Sequence, residues 1–398
     1  MKRLFAAIAL TLLVFVSCSG AYSPEPFYLP PVPQEAVQIE TAGLAIVAGN
    51  TSAFAVLPDG SLWGWGSNSS GQLGNGTTAD WSVPHLFPIH IMDDVAYVSA
   101  GGRGSRSDNV GHVLAIRTDG SLWAWGRNTQ GQLGDGTTEG RLRPVMIMED
   151  VIAVSAGASH TMAIRTDGSL WGWGSNNAGK LGDGTYENRS SPVHIMDDVV
   201  AVSAGYRHTL AIDINGTVWA WGTGRLLGIE ELGHRNTPVR IMENIIAISA
   251  GGAHSLAICI NHSLWVWGTD YSGQLGTGIF TDKRTPIRMF DNVVAVAAGY
   301  HYSIIVKADG SLWSWGHNNT GQLGDGTIYN NRTPMHIMDD VAAISTGGVG
   351  RGVNFAVKTN GSTWAWGCNF WGQIGDGYYG IFNNRHSPVE IFLSDLPR

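Results

Sequence analysis

The motif Trp-x-Trp-Gly recurs seven times in this chain, with first tryptophans at Trp63, Trp123, Trp171, Trp219, Trp265, Trp313 and Trp364. Successive copies lie 60, 48, 48, 46, 48 and 51 residues apart, and together they hold 14 of the 16 tryptophans. A period of this length constrains the fold more than any other feature. Each unit must be one supersecondary element that buries its faces against its neighbours.

One unit runs from Val199 to Met242. Residues 201–205 read as a short strand a, 208–212 as strand b, 218–222 as strand c and 238–242 as strand d. Between b and c lies Asn215-Gly216. Its counterparts begin at Asp59, Asp119, Asp167, Asp309 and Asn360. Asp-Gly and Asn-Gly tolerate the positive φ of type I′ hairpins, so a two-residue turn is expected. A Gly-rich loop of the form Gly-Gln-Leu-Gly-Asp-Gly-Thr joins c to d. No unit shows a helical apolar period over ten or more residues. Four short antiparallel strands repeated seven times predict an all-β, seven-bladed β-propeller, whose closure shields the sheet edges. Residues two apart on a strand share one face, so both indoles of each pair are expected to wedge between blades. Val37-Gln38-Ile39 and Pro388-Val389-Glu390-Ile391 both read as strand d, which leaves open the end that seals the last blade.

The first residues read as an address. Met1-Lys2-Arg3 precedes an apolar run, Leu4 to Val16, broken only by Thr11. At 13 residues it is too short to span a bilayer and has the length of a signal-peptide core. The run ends Phe15-Val16-Ser17-Cys18, which resembles a bacterial lipoprotein signal. The expected organisation is a signal peptide over 1–17, a lipidated Cys18 with a Pro-rich tether to 36, a propeller over 37–393, and a tail over 394–398. A plain secreted protein is the alternative. Five of the 15 prolines fall in residues 19–35, as in an extended spacer. Charged residues are only 14 % and hydrophobic residues 43 %, against both disorder and coiled coil. The 32 acidic and 24 basic residues give a net charge of −8, or −10 without Lys2 and Arg3, which opposes a nucleic-acid partner. Cys259 and Cys368 stand at non-equivalent repeat positions and give little reason to expect a disulfide.

His112, His160, His208 and His254 share one repeat position, replaced by Ser52 and Tyr302 in two other units. Equivalent positions around a ring cannot converge on one metal ion, so a ring nitrogen bonded to local backbone is the simpler expectation. Asp135, Asp183, Asp325 and Asp376 sit in Gly-Asp-Gly turns. One carboxylate per turn reads as turn chemistry rather than calcium ligation. No phosphate loop, nucleophile elbow, His-Glu-x-x-His or paired-cysteine motif appears. No catalytic residue or cofactor is therefore assigned.

The departures from the repeat are more informative. In antiparallel order the a–b and c–d loops share one face of the ring. The c–d segment spans 19 residues from the second Trp to the Pro in most units, but 23 in the first and 22 in the seventh. The second and seventh units also have longer a–b loops. Every insertion thus falls on one face, on blades 7, 1 and 2, which a ring makes adjacent. These segments carry Trp81, Phe87, Trp371, Tyr378, Tyr379 and Phe382, with Arg103, Arg106 and Arg351 beside them. Trp, Tyr and Arg are enriched in interface hot spots. The arc is therefore the expected partner-binding surface, set against the plainer reading that loops lengthen where they are tolerated.

The run Ala-Gly-x-x-His-x-x-Ala-[Ile/Leu], then Asp-Gly-Ser-Leu-Trp-x-Trp-Gly-x-Asn-x-x-Gly-Gln-Leu-Gly-Asp-Gly, resembles the repeat of the regulator-of-chromosome-condensation propeller family. Ala156 to Gly184 shows it whole, with Lys180 in place of Gln. The resemblance implies the seven-bladed fold. It also brings nucleotide exchange on a small nuclear GTPase and chromatin binding, which an exported acidic chain is not expected to share. The wedge hairpin of the exchange surface has no evident counterpart in the sequence. Secreted bacterial members that act by protein binding, including a β-lactamase inhibitor, fit the signal sequence better. The expected function is a non-enzymatic, monomeric protein-binding module outside the cytoplasmic membrane. The alternatives are an inhibitor or regulator of an enzyme (a GTPase exchange factor only inside a host cell), or a glycan-binding propeller.

Overall fold

The computed structural model describes residues 44–80, 82–104, 109–347 and 352–392. The N-terminal segment with Cys18 and Val37–Ile39 lies outside them. The described residues form seven four-stranded antiparallel sheets. Every sheet uses four strands consecutive in the chain. Blade 1 comprises Ala45–Ala48, Ser52–Val56, Leu62–Gly66 and His85–Met92. Blade 3 comprises Val151–Ala156, His160–Arg165, Leu170–Gly174 and Arg189–Met196. Blade 7 comprises Val341–Gly347, Val353–Lys358, Thr363–Gly367 and Arg385–Ile391. The C-terminal candidate for strand d is therefore the one that completes blade 7.

Strands a from all seven blades converge on the axis, where space is least. They are built from Ala, Ser, Gly and Val, and they line an axial cavity of about 150 Å³. Serine hydroxyls stitch adjacent a strands. Ser99, Ser155, Ser203 and Ser249 accept the N–H groups of Ala156, Ala204, Ala250 and Ala298 at 2.8–3.0 Å. Ser345 accepts from Ala48 at 2.9 Å and so closes the ring between blades 7 and 1.

The core is seven clusters, each shared by two neighbouring blades. Each contains the second tryptophan of one motif, and six of the seven also hold an aliphatic residue from the preceding c–d loop. Trp173, for example, packs with Leu133, and Trp65 packs with Ile374 across the closure. All seven second tryptophans are fully buried. Six of their indole N–H groups reach back a blade, and that of Trp221 is buried without a partner among the described residues. Trp125 bonds Gln72 O at 2.9 Å, Trp173 bonds Gln132 O at 3.0 Å and Trp315 bonds Gln274 O at 2.8 Å. The Gly after each loop leucine makes room for this ring. A Cβ on Gly134 would stand 2.7 Å from Trp173 Nε1, and its φ of +82° is itself a glycine conformation.

Two sequence expectations need correction. The first tryptophan of a pair packs against the same boundary but less deeply, from 9 % exposed at Trp63 to partly exposed in the other six. Trp171 is partly exposed, its N–H donates to Ser169 Oγ at 2.9 Å, and its ring meets His194 edge-on. It sits at the margin of the boundary that seals Trp173. The b–c turns are also not type I′. Gly60 N–H bonds Leu57 O and Leu57 N–H bonds Ser61 O, giving a three-residue loop in which only Gly60 has positive φ. Asp59 instead accepts the Ser61 N–H and hydroxyl at 3.0 and 2.6 Å, which holds it on the ordinary side of φ. In blade 5 the glycine is His262, held at φ +62°.

The two tryptophans therefore differ in consequence. Trp173→Ala is expected to cost about 3–5 kcal/mol of stability, and Trp171→Ala about half as much or less. Urea unfolding of both variants checks this. Equal losses would remove the distinction between the two positions.

Candidate interaction face

The a–b and c–d loops share one face because the first residue after strand c pairs back to the a–b loop. Ser67 N–H bonds Thr51 O and Ser175 N–H bonds Ser159 O. In blades 1, 2, 3, 6 and 7 the c–d loop then folds around one asparagine. In blade 2, Asn128 Nδ2 donates to Asp135 Oδ1 at 3.0 Å and to Thr137 O at 3.1 Å, and its Oδ1 accepts Leu133 N–H at 2.9 Å. Asp135 also accepts Thr137 and the Arg141 Nε–H at 2.6 Å. Threonine and arginine donors hold the Asp135 carboxyl below its ordinary pKa, against desolvation by burial. Asp183 repeats this with Arg189, and Asp376 with Arg385. These aspartates organise the loops through hydrogen bonds.

The four equivalent histidines are buried at blade boundaries. Their Nε2 atoms bond hydroxyls of the next blade rather than local backbone, which corrects the expectation. His112 pairs with Thr161 at 3.2 Å, His160 with Thr209 at 3.0 Å, His208 with Ser255 at 2.9 Å and His254 with Ser303 at 2.8 Å. Where Tyr302 replaces His, its hydroxyl donates to Asn354 Oδ1 at 2.8 Å. Thr161 in turn donates to Gln132 O at 2.8 Å, so His112 Nε2 must be the donor to Thr161. Burial lowers His112 and His208 to about 4 and His254 to about 3.

Five loop glutamines, Gln72, Gln132, Gln274, Gln322 and Gln373, accept with Oε1 the N–H two residues earlier at 2.8–2.9 Å. Lys180 occupies this position in blade 3 and has no acceptor to offer. Its Nζ donates to Ser159 Oγ at 3.2 Å, and Ala178, two residues earlier, is pushed to φ +66°.

The proposed arc is only partly assembled. Phe87 is 73 % exposed and Phe382 94 %, with Tyr378 and Tyr379 about half exposed. Blade 7 reaches blade 1 here, since a Cβ on Gly372 would meet Leu86 Cδ2 and Tyr379 Cβ. Trp371 is the exception. It is 3 % exposed and packs on Phe370 with ring centres 4.9 Å apart, so it supports the loop from within and offers no surface. The blade 2 insertion lengthens strands a and b to Val95–Gly104 and Asn109–Arg117, pairing Arg103 with Val110. An inserted hairpin is therefore present. Trp81, Arg106 and Arg351 lie outside the described residues, as does the Arg103 side chain.

Exposed apolar groups also extend beyond this arc. Tyr186, Phe280 and Ile328 are exposed in blades 3, 5 and 6, and Tyr329 is 76 % exposed. These loops have the standard length, so loop length alone passes over them. A signal does exist, because Tyr186, Phe280, Ile328 and Tyr379 each stand two residues after the second glycine of their loop's Gly-x-Gly turn. At the axis, the Tyr206 and Tyr300 rings meet edge-on at 5.3 Å above the channel.

Comparison with known proteins agrees with this architecture. The RCC1-like domain matches residues 109–396, and the regulator of chromosome condensation (RCC1) repeat matches 59–105. The chain is 37 % identical to human protein RCC2 over 106 residues, covering 26 % of this chain and 19 % of that protein. It is 38 % identical to the ultraviolet-B receptor UVR8 of Arabidopsis thaliana over 104 residues, covering 26 % of this chain and 21 % of the receptor. The aligned region thus spans about a fifth of each relative. Among solved structures, human WBSCR16 aligns with a TM-score of 0.70 at 19 % identity, covering 84 % of this chain and 95 % of that one. Yeast RCC1 (Prp20), solved bound to Kap60, aligns with a TM-score of 0.70 at 20 % identity, covering 95 % of this chain and 91 % of that one.

Two outcomes follow from the site chemistry. The buried histidines are neutral when folded and titrate near 6.5 when unfolded. Below pH 6.5 the unfolded chain binds more protons, so stability present above 6.5 is lost as pH falls toward about 4. Each histidine contributes about 1.4 kcal/mol per pH unit in that window. His208→Gln should flatten the melting profile by one such share, and an unchanged slope would contradict it. Lys180→Gln restores the missing acceptor and is expected to raise stability by about 1 kcal/mol, read from the denaturation midpoint. With 288 residues matched by the family profile and seven blades in the ring, the chain belongs to the RCC1-like propeller family.

Proposed function

We propose that the chain is a non-enzymatic protein-binding module displayed outside the cytoplasmic membrane, tethered through a lipid on Cys18 or released by secretion. The observation that carries the binding reading is the loop face, where Phe382, Phe87, Tyr378 and Tyr379 stand exposed on the adjoining blades 7 and 1. Large rings held out by a rigid scaffold are the usual anchors of protein interfaces. The family supports the same class of role. Its relative yeast RCC1 (Prp20) is solved bound to Kap60, and its binding properties to Gsp1p and histones are the subject of a second structure. For the address, the support is the basic start, the 13-residue apolar run and the Pro-rich segment after Cys18. An inhibitor or regulator of a partner enzyme is one form this role can take.

Crosslinking the full chain in an envelope fraction, followed by mass spectrometry, identifies the partner. Phe382→Ala with Tyr379→Ala should then weaken the purified partner's binding at least ~10-fold. Ile260→Ala, an exposed aliphatic residue in a b–c turn on the opposite face, should leave it unchanged. Equal retention by both variants would refute the arc. Cys18→Ala should move the chain from the membrane to the soluble fraction, and identical fractionation of the two forms would refute the lipid.

A further inference from the structure

The c–d loops of blades 2, 3 and 4 enclose an open pocket of about 520 Å³ on the loop face. Gln130 comes from blade 2, His234 from blade 4, and Tyr186, Asn177 and Asn188 from blade 3. Hydrogen bonds hold its frame in place. Asn188 Nδ2 donates to Gln130 Oε1 at 3.0 Å, tying blade 3 to blade 2, and Asn188 Oδ1 accepts Asn176 N–H at 2.8 Å. Gly224 N–H reaches His234 Nδ1 at 3.4 Å, which leaves Nε2 of that ring unengaged.

What remains is a particular set of free groups. The Tyr186 hydroxyl, the Asn177 carboxamide, the Ser175 hydroxyl and His234 Nε2 make no hydrogen bond among the described residues. Each except the imidazole nitrogen can both donate and accept. No carboxylate, ammonium or guanidinium lines the pocket. The nearby Asp183 is already held by Arg189 at 2.7 Å. This lining carries no charge to balance a phosphate or a metal cation, and too much polarity to suit a purely apolar ligand. It matches a ligand rich in hydroxyls with one apolar ring face, which the half-exposed ring of Tyr186 can cover.

The backbone marks the same loop. Ala178 lines this pocket at φ +66°, while every other non-glycine residue with positive φ among the described residues is Asp, Asn or His. Those types tolerate the left-handed region, and alanine does so only at a cost. The strain follows from the lysine, and it fixes Ala178 at the pocket wall. It occurs in the one described loop where lysine replaces the glutamine.

We infer that this pocket is a saccharide-binding site, with Tyr186 as the stacking platform and Asn177, Ser175 and His234 as hydroxyl partners. It lies on a different arc from Phe382 and Phe87, so it does not depend on the protein-binding reading. The test is calorimetric titration of the full chain with glucose, galactose, mannose, N-acetylglucosamine, maltose, cellobiose and lactose. At least one is expected to bind at a concentration below about 20 mM. Tyr186→Ala and Asn177→Ala, both exposed positions, should each weaken it at least ~10-fold with the melting temperature unchanged. Phe382→Ala should leave it intact. Absence of binding by every sugar, or equal binding by the Tyr186→Ala chain, overturns the assignment without touching the partner arc.

Discussion

The ring depends on a carbonyl that serves two donors at once. Gln132 O accepts the Trp173 indole and the Thr161 hydroxyl, both from the following blade. Gln274 O does the same for Trp315 and Ser303, and Gln322 O for Trp366 and the Asn354 carboxamide. Both lone pairs are used in a place water cannot reach. Parting the blades slightly would strand a carbonyl and two donors, at about 1–3 kcal/mol for each unsatisfied group. The indole brings hydrophobic area, and these bonds fix where it sits. Changes at the boundary accordingly come in matched pairs. His faces Thr or Ser, Tyr302 faces Asn354, and Val353 shares an apolar cluster with Ala53 where no polar partner exists.

Much of this was legible in the sequence, because repetition turns one unit's pattern into seven trials. The Trp-x-Trp-Gly spacing leads to four strands and seven blades without ambiguity. The unequal fate of Trp171 and Trp173 was not legible, since a period of two says only that they share a face. It does not say that one is sealed at the blade boundary while the other sits at its margin. The turns at Asp59 and its counterparts show a similar limit. Asp-Gly is compatible with two loop types, and the choice falls to the following serine, which caps the aspartate.

The candidate site was legible as a face and only partly as residues. Loop lengths pointed to blades 7, 1 and 2, and Phe87, Tyr378, Tyr379 and Phe382 are indeed exposed there. Trp371 takes the turn position whose N–H bonds Gln373, and its ring lies buried against Phe370. The two faces also differ in character. On the opposite side the d–a turns carry Asp94, Asp150, Asp198 and Asp340 beside the aspartates of the b–c turns. Arg117 pairs with Asp94 and Arg165 with Asp150. One side is thus a hydrated acidic collar, and the other displays the rings.

Because each sheet is woven from one uninterrupted stretch of chain, no strand among the described residues is borrowed across the closure between blades 7 and 1. The join there is a side-by-side contact of the same kind as the other six. Where the polypeptide starts is then immaterial to the circle. A gene could be opened at any d–a connection, or gain or lose a unit by recombination, without orphaning a single strand. Such modular inheritance lets the displayed loops diverge blade by blade while the boundaries between them stay interchangeable.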